Sequence, residues 1–159
     1  MRAGELQQIA APEEIYRQPA NRFVAAFTGI SGSFLGTVIE SHHHEVKVQL
    51  GNQKLECRTP TKLKAGDSVE VLIRPSATSL SHHHSNSLPA VVLDVAYRGR
   101  GYEHVVECEF GVISSVFANE STARGSRVEI YIDPHNCLAF PSEKRDGANV
   151  AIPELSHTK

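Results

Sequence analysis

Leu63-Lys-Ala-Gly-Asp-Ser-Val-Glu-Val-Leu-Ile-Arg-Pro75 reads as a loop followed by a strand. Gly66 supplies the pivot and Asp67 supports the turn after it. From Ser68 the residues alternate with period two, so Val69, Val71 and Ile73 should face inward. Pro75 cannot donate to a ladder and stops the strand there.

The same period recurs on both sides. Glu45-Val-Lys-Val-Gln-Leu50 alternates without a break, Leu35 to Glu40 precedes it, and Gly51-Asn52 turns the chain into Gln53 to Arg58. Ser41-His42-His43-His44 is expected as a turn and Ser76 to Ser87 as a polar loop. Further on, Leu88 to Tyr97 places Val91, Leu93, Val95 and Tyr97 on one face. Arg98-Gly-Arg100-Gly turns the chain. Tyr102 to Phe110 then sets His104, Val106, Cys108 and Phe110 against a face bearing Glu103, Glu107 and Glu109. Val112 to Ala118, Arg127 to Ile132 and Cys137 to Phe140 complete seven to nine closely spaced short strands. With no helix among them, the expected class is mainly β, a small barrel or sandwich.

Ahead of the strands, residues 8 to 29 carry helical punctuation. Pro12 suits a first helical position and Glu13 and Glu14 sit at the positive end of the dipole. Pro19 ends the first helix near Gln18. A second helix from about Ala20 to Phe27 places Phe23 and Phe27 on one face with Val24 beside them, and Gly29 terminates it. Met1 to Gln8 is expected as a strand remnant. The boundaries that follow are 1–30 for the helical part, 31–141 for the barrel and 142–159 for a mostly disordered tail.

The helical stretch resembles the segment that closes the ATPase domain in bacterial ABC-importer ATP-binding subunits, of the form G-x-[IL]-x-Q-x-G-x-P-x-E-[IL]-Y-x-x-P-x-N-x-F-V-A-x-F-[IV]-G. The matching residues are Gly4, Leu6, Gln8, Pro12, Glu14, Ile15, Tyr16, Pro19, Asn21, Phe23, Val24, Ala25, Phe27 and Gly29, whereas Ala10 and Thr28 depart from the pattern. Leu63-x-x-Gly66-Asp-x-Val69-x-Val-x-Ile73-Arg74-Pro75, then Leu93-x-x-x-Tyr97-x-Gly99-x-x-Tyr102, Gly125-x-x-Val128 and Leu138-x-Phe140-Pro141, resemble in order the TOBE domain, the OB-type barrel that follows that ATPase domain. The resemblance implies an OB-like TOBE barrel led by two short helices. It also implies that Met1 lies inside the family's ATPase domain, with most of that domain missing from this sequence. The implied function is a non-catalytic, regulatory C-terminal domain of an importer's ATP-binding subunit. Its expected partners are the ATPase domain and the permease, and its expected place is the cytoplasmic side of the inner membrane, held there through the complex. The direct entry of the linker into the barrel resembles ferric-iron and related small-solute importers.

Composition sets further limits. The 159 residues carry a net charge of −2, no Trp and one Met, which gives no global reason to expect nucleic acid. No apolar run approaches the roughly 20 residues that span a bilayer, so no direct membrane insertion is expected. Cys57, Cys108 and Cys137 are widely spaced, and their odd number fits small hydrophobes in a reducing cytosol. No G-x-x-x-x-G-K-[ST] loop, L-S-G-G-Q signature or catalytic Glu after an aliphatic-Asp strand occurs, so the chain is expected neither to bind nor to hydrolyse ATP, and no cofactor is expected.

The candidate site residues fall into three groups. His42, His43, His44, His82, His83 and His84 form two triplets that could ligate a transition metal or could simply be solvated loops. Arg74, Arg98 and Arg100 are candidates for anion contact, and on that alternative the chain is a stand-alone oxyanion or metal binder. The structural role for Arg74 is to close its strand end by bonding loop carbonyls. Ile15, Tyr16, Phe23, Val24 and Phe27 should form an apolar interface that normally packs on the ATPase domain and that, left open, drives self-association.

Overall fold

The computed structural model describes residues 3–80 and 85–142. Two short helices, α1 (Pro12–Arg17) and α2 (Arg22–Phe27), precede ten strands. These are β1 (Gly32–His42), β2 (Glu45–Leu50), β3 (Gln53–Arg58), β4 (Ser68–Ile73), β5 (Thr78–Leu80), β6 (Ser87–Tyr97), β7 (Tyr102–Cys108), β8 (Gly111–Ala118), β9 (Arg127–Ile132) and β10 (Cys137–Pro141). Single 3-10 turns at Pro75–Ala77 and Pro134–Asn136 lead into β5 and β10.

The strands close into two five-stranded barrels where the sequence suggested one. Around the first barrel the order is β1-β2-β3-β10-β4, and around the second it is β5-β8-β7-β6-β9. Residues 32–80 and 87–141 therefore repeat one plan: a long strand, a hairpin pair, a fourth strand, a 3-10 turn and a short fifth strand. That fifth strand leaves its own repeat and completes the other barrel. β10 pairs antiparallel with β4 over five positions, from Cys137↔Ile73 to Pro141↔Val69, and β5 pairs with β9 from Thr78↔Ile132 to Leu80↔Ile130. Each barrel then closes at a parallel seam with a single registered pair, Leu138↔Arg58 in the first and Ser79↔Phe117 in the second.

The two repeats match at the bulge of the long strand and at the glycine that braces it. The long strands carry bulges at matching positions, between Val38 and Glu40 and between Val92 and Asp94. Gly66 and Gly125, at φ +94° and +82°, donate backbone N–H groups to the carbonyls of Val38 and Val92 over 2.8 and 2.7 Å. Positive φ is why glycine stands at both places. In β6, Leu88, Ala90 and Val92 are buried in alternation with outward Val91 and Leu93, and the bulge between Val92 and Asp94 then puts Val95 and Tyr97, which pair with His104 and Tyr102, on the opposite face from Val91 and Leu93. Asn86, at φ +54°, bridges the barrels, its side chain bonding the Glu56 backbone on β3 and the Ile132 carbonyl on β9.

The core runs through both barrels, from Phe34, Val38, Val48 and Leu55 to Leu88, Val106, Ile113 and Ile130. Val69, Val71 and Ile73 are fully buried, as their alternation requires. His104 is buried too. Its Nε2 accepts the Thr122 N–H at 3.0 Å, so the ring is the Nδ1–H tautomer and donates to the Val116 carbonyl at 3.2 Å. A second cluster of Ala25, Leu72, Leu138 and Phe140, with Ile30 against it, lies between α2 and the β4–β10 pair.

Three local expectations change. Glu5 makes only an isolated bridge, so residues 3–8 are not a strand. Thr78–Leu80, expected within a polar loop, is a strand because β9 offers it an edge. The first triplet is not wholly a turn, since β1 runs through His42 and only His43 and His44 turn the hairpin, with His43 at φ +54°. His82, His83, His84 and the tail beyond Ser142 lie outside the described residues. No helix among those described is long and apolar enough to cross a membrane.

Gly36 shows how closely β1 and β2 approach. A Cβ there would lie 2.5 Å from Val48 Cγ1, 2.7 Å from Leu50 Cδ2 and 2.8 Å from the Gln49 carbonyl oxygen. Gly36→Ala is expected to destabilise the chain by ~1–3 kcal/mol, read as a lowered midpoint in urea with an unchanged slope.

Candidate functional site

The helical segment is braced by hydrogen bonds of its own and joined to the first barrel at two junctions. Asn21 caps α2, its Oδ1 accepting the Val24 N–H at 3.0 Å, while its Nδ2 donates to Gln7 Oε1 at 3.0 Å. Gln8 clamps the bend between the helices, donating to the Gln18 carbonyl at 3.1 Å and accepting the Ala20 N–H at 2.9 Å. Arg22, the first residue of α2, grips Glu70 of β4 with both Nε and Nη2, the latter at 2.7 Å, and Ser33 Oγ donates to the same carboxylate. A two-pronged guanidinium–carboxylate pair of this kind fixes orientation as well as distance.

Arg74 makes the second junction. It is 2% exposed, at the end of β4, with its guanidinium 4.0 Å from the centroid of the Tyr16 ring. The Tyr16 hydroxyl shares a 2.8 Å hydrogen bond with Ser76 Oγ. Burial lowers the Arg74 pKa from its ordinary value, against the pull of Tyr16. Its Nε and Nη2 are buried with no hydrogen-bond partner among the described residues. The anticipated bonds from these atoms to loop carbonyls are not made, and stacking on Tyr16 stands in their place.

The segment exposes several apolar side chains besides its exposed Glu13–Arg17 ion pair. Phe27 is 82% exposed and stacks on Phe23 with centroids 6.4 Å apart, and Leu6 and Ile9 are exposed as well. Ile15, Tyr16 and Phe23 are half-buried, whereas Val24 is buried and supplies no open surface. Leu6 and Ile9 were not singled out from the sequence, because neither belongs to a helical face that would have marked them.

The other two arginines are occupied elsewhere. Arg98 Nε donates to Glu103 Oε2 at 2.8 Å, Ser115 Oγ donates to Glu103 Oε1 at 2.9 Å, and Arg100 lies 4.5 Å above the Phe117 ring. Burial pushes the Glu103 carboxyl up, but the hydrogen bonds from Arg98 and Ser115 outweigh it and hold the pKa below the ordinary value.

Of the first His triplet, all three rings are exposed, and His44 Nδ1 lies 3.3 Å from the Thr59 carbonyl. His42 and His135 line one pocket of about 250 Å³ with Glu40, Glu45, Lys47 and Arg58. Among the described residues no three His, Cys, Asp or Glu side chains converge on a common point.

Against known proteins, residues 71–140 match the family model for the TOBE domain. The chain carries a TOBE domain. It is also homologous to the C-terminal region of PotA-type ABC-importer ATP-binding subunits. The spermidine/putrescine import ATP-binding protein PotA of Vibrio cholerae is 33% identical over 126 residues, 76% of this chain and 33% of that protein. The Clostridium acetobutylicum protein of the same name is 33% identical over 104 residues, 65% of this chain and 28% of its own length. The Rubrobacter xylanophilus protein is 29% identical over 153 residues, 91% and 40% respectively. This TOBE-bearing chain thus spans between 28 and 40% of the length of these relatives. In structure it is similar to the cytoplasmic molybdate-binding protein ModG, with a TM-score of 0.59 and 17% identity over 71% of this chain and 97% of that one. That likeness speaks to the paired-barrel fold.

Two outcomes are expected. Glu70→Gln should weaken the hold on α2 and lower stability by about 1–2 kcal/mol, with amide exchange in residues 22–27 accelerating more than in the core strands. Because the folded pKa of Glu103 is depressed, its contribution is present above the unfolded value of about 4.3 and is lost as pH falls through the lower folded value. Glu103→Gln should remove that portion of the acid-side slope in a pH series of thermal midpoints.

Proposed function

We propose that this chain is the non-catalytic, regulatory part of an ABC importer's ATP-binding subunit, working through protein contacts. The observation that carries the reading is the helical segment. It exposes Leu6, Ile9 and Phe27, the last at 82%, and is tied to the barrel by Arg22–Glu70 and Arg74–Tyr16. Exposed apolar side chains on a segment tied down in this way suit docking on a second domain. The homology to PotA-type subunits supports the nucleotide-binding domain as that partner and, through it, the permease on the cytoplasmic face of the membrane. The same surface supports self-association when no such partner is bound. The solute printed for the relatives, spermidine or putrescine, makes a polyamine importer the first to test, ahead of the ferric iron suggested by the linker.

A second reading, an oxyanion-binding barrel, has one observation in its favour: the two buried guanidinium nitrogens of Arg74, Nε and Nη2, that meet no acceptor among the described residues.

Titration with a separately produced ATPase domain of a PotA relative should give measurable binding, weakened about tenfold or more by Phe27→Ser, as expected for losing one buried aromatic contact. Absence of binding, together with molybdate affinity lost in Arg74→Met, would replace this reading with the second one. Light scattering at rising concentration checks self-association, and a strict monomer removes that part.

A further inference from the structure

The two barrel seams are built alike, and at one position they differ in a way that matters chemically. Thr78 and Cys137 are equivalent residues, each the first of an exchanged strand. Thr78 ties its seam with a hydrogen bond from Oγ1 to the Ser115 carbonyl of β8 at 3.0 Å. Cys137 makes no such bond. Its Sγ lies 3.2 Å from Cys57 Sγ on β3, across the first barrel's seam, with both residues buried. Cys57 stands where the second barrel has Val116, one residue before the registered pair in each case. Two sulfurs at this separation need to move by only about 1 Å to reach bonding distance.

We propose that Cys57 and Cys137 are an oxidisable dithiol that closes into a disulfide and locks the exchanged strand β10 into the first barrel. With hydrogen peroxide as oxidant, a thiolate at one sulfur attacks a peroxide oxygen. The O–O bond breaks and a sulfenic acid forms with release of hydroxide. The second sulfur displaces that oxygen as water, forming the S–S bond. Two thiols and one peroxide yield one disulfide and two waters, so both sulfurs are oxidised and the peroxide is reduced.

Cys57 adjoins the pocket bounded by Glu56, Arg58 and His135 but is only 1% exposed, so peroxide reaches its sulfur when the seam opens locally. The hydrogen bond with Cys137, followed by burial, holds the Cys57 thiol well above its ordinary pKa, so closure is slow at neutral pH and quickens as pH rises. The bond would span 80 residues and staple a seam that otherwise has a single ladder pair. It would also fix the strand whose Leu138 and Phe140 carry α2.

The full chain is incubated with hydrogen peroxide under native conditions, then unfolded and treated with N-ethylmaleimide. Of the three cysteines, only Cys108 should take up maleimide. The intact mass should fall by about 2 Da before alkylation, and digestion should give a linked pair of peptides containing Cys57 and Cys137. The thermal midpoint should rise by ~5–15 °C, reversed by a dithiol reductant. Three alkylatable thiols after oxidation, or a link through Cys108, overturn the proposal, and a bond without a rise in midpoint overturns the seam lock. The double variant Cys57→Val, Cys137→Thr copies the other seam and should fold with no oxidation-dependent shift. A shift that persists in it also overturns the assignment.

Discussion

Neither barrel can close from its own half of the sequence. The first lacks a fifth strand until β10 arrives, and the second lacks one until β5 crosses over. An open β-sheet edge is a row of unpaired donors and acceptors, and the exchange removes both edges at once. The continuous core, the Asn86 bridge and the platform for α2 all presuppose it. Leu138 and Phe140 can support the helix only because β10 has been inserted beside β4.

The attachment of the helical segment follows from this platform. β4 presents Glu70 and Leu72 outward while Val69, Val71 and Ile73 point into the barrel. The outward residues take hold of α2 through a charge pair and an apolar contact, and Arg74, one residue further on, meets Tyr16. One strand thus serves two interiors, which explains why its burial is dense on both sides. The exposed Phe27, stacked on half-buried Phe23, sits on the helix that these contacts tie to the barrel.

Much of this was legible in the sequence. Period-two alternation placed β2, β3 and β9 to the residue, and Gly29 fell just past the end of α2 because local chemistry fixes such a position, whereas the cap at Asn21 and the clamp at Gln8 were not read from the sequence. The two barrels were not legible. Repeat partners such as Thr78 and Cys137, or Arg74 and Asp133, share a backbone role without sharing a side chain, so the repeat is written in turns and bulges and hardly in residue identity. The faces of β6 were hidden too, because the bulge between Val92 and Asp94 sets Val95 and Tyr97 on the opposite face from Val91 and Leu93, although all four continue one alternation in the sequence. At the candidate site, the stacking of Arg74 on Tyr16 joins residues 58 positions apart, a pairing that no local pattern encodes.

The exchange of strands between chain halves also bears on synthesis. A ribosome makes β1 to β4 early, yet their barrel waits for residues 137–141, while the later barrel already has its borrowed strand in hand. The order of completion is the reverse of the order of translation. Most contacts join distant parts of the chain, a topology that folds slowly because long loops must close before they are rewarded. A frameshift that spared everything up to Asn136 would leave the second barrel with all its strands and open the first, so the damage would surface at the end of the molecule furthest, in sequence, from the lesion.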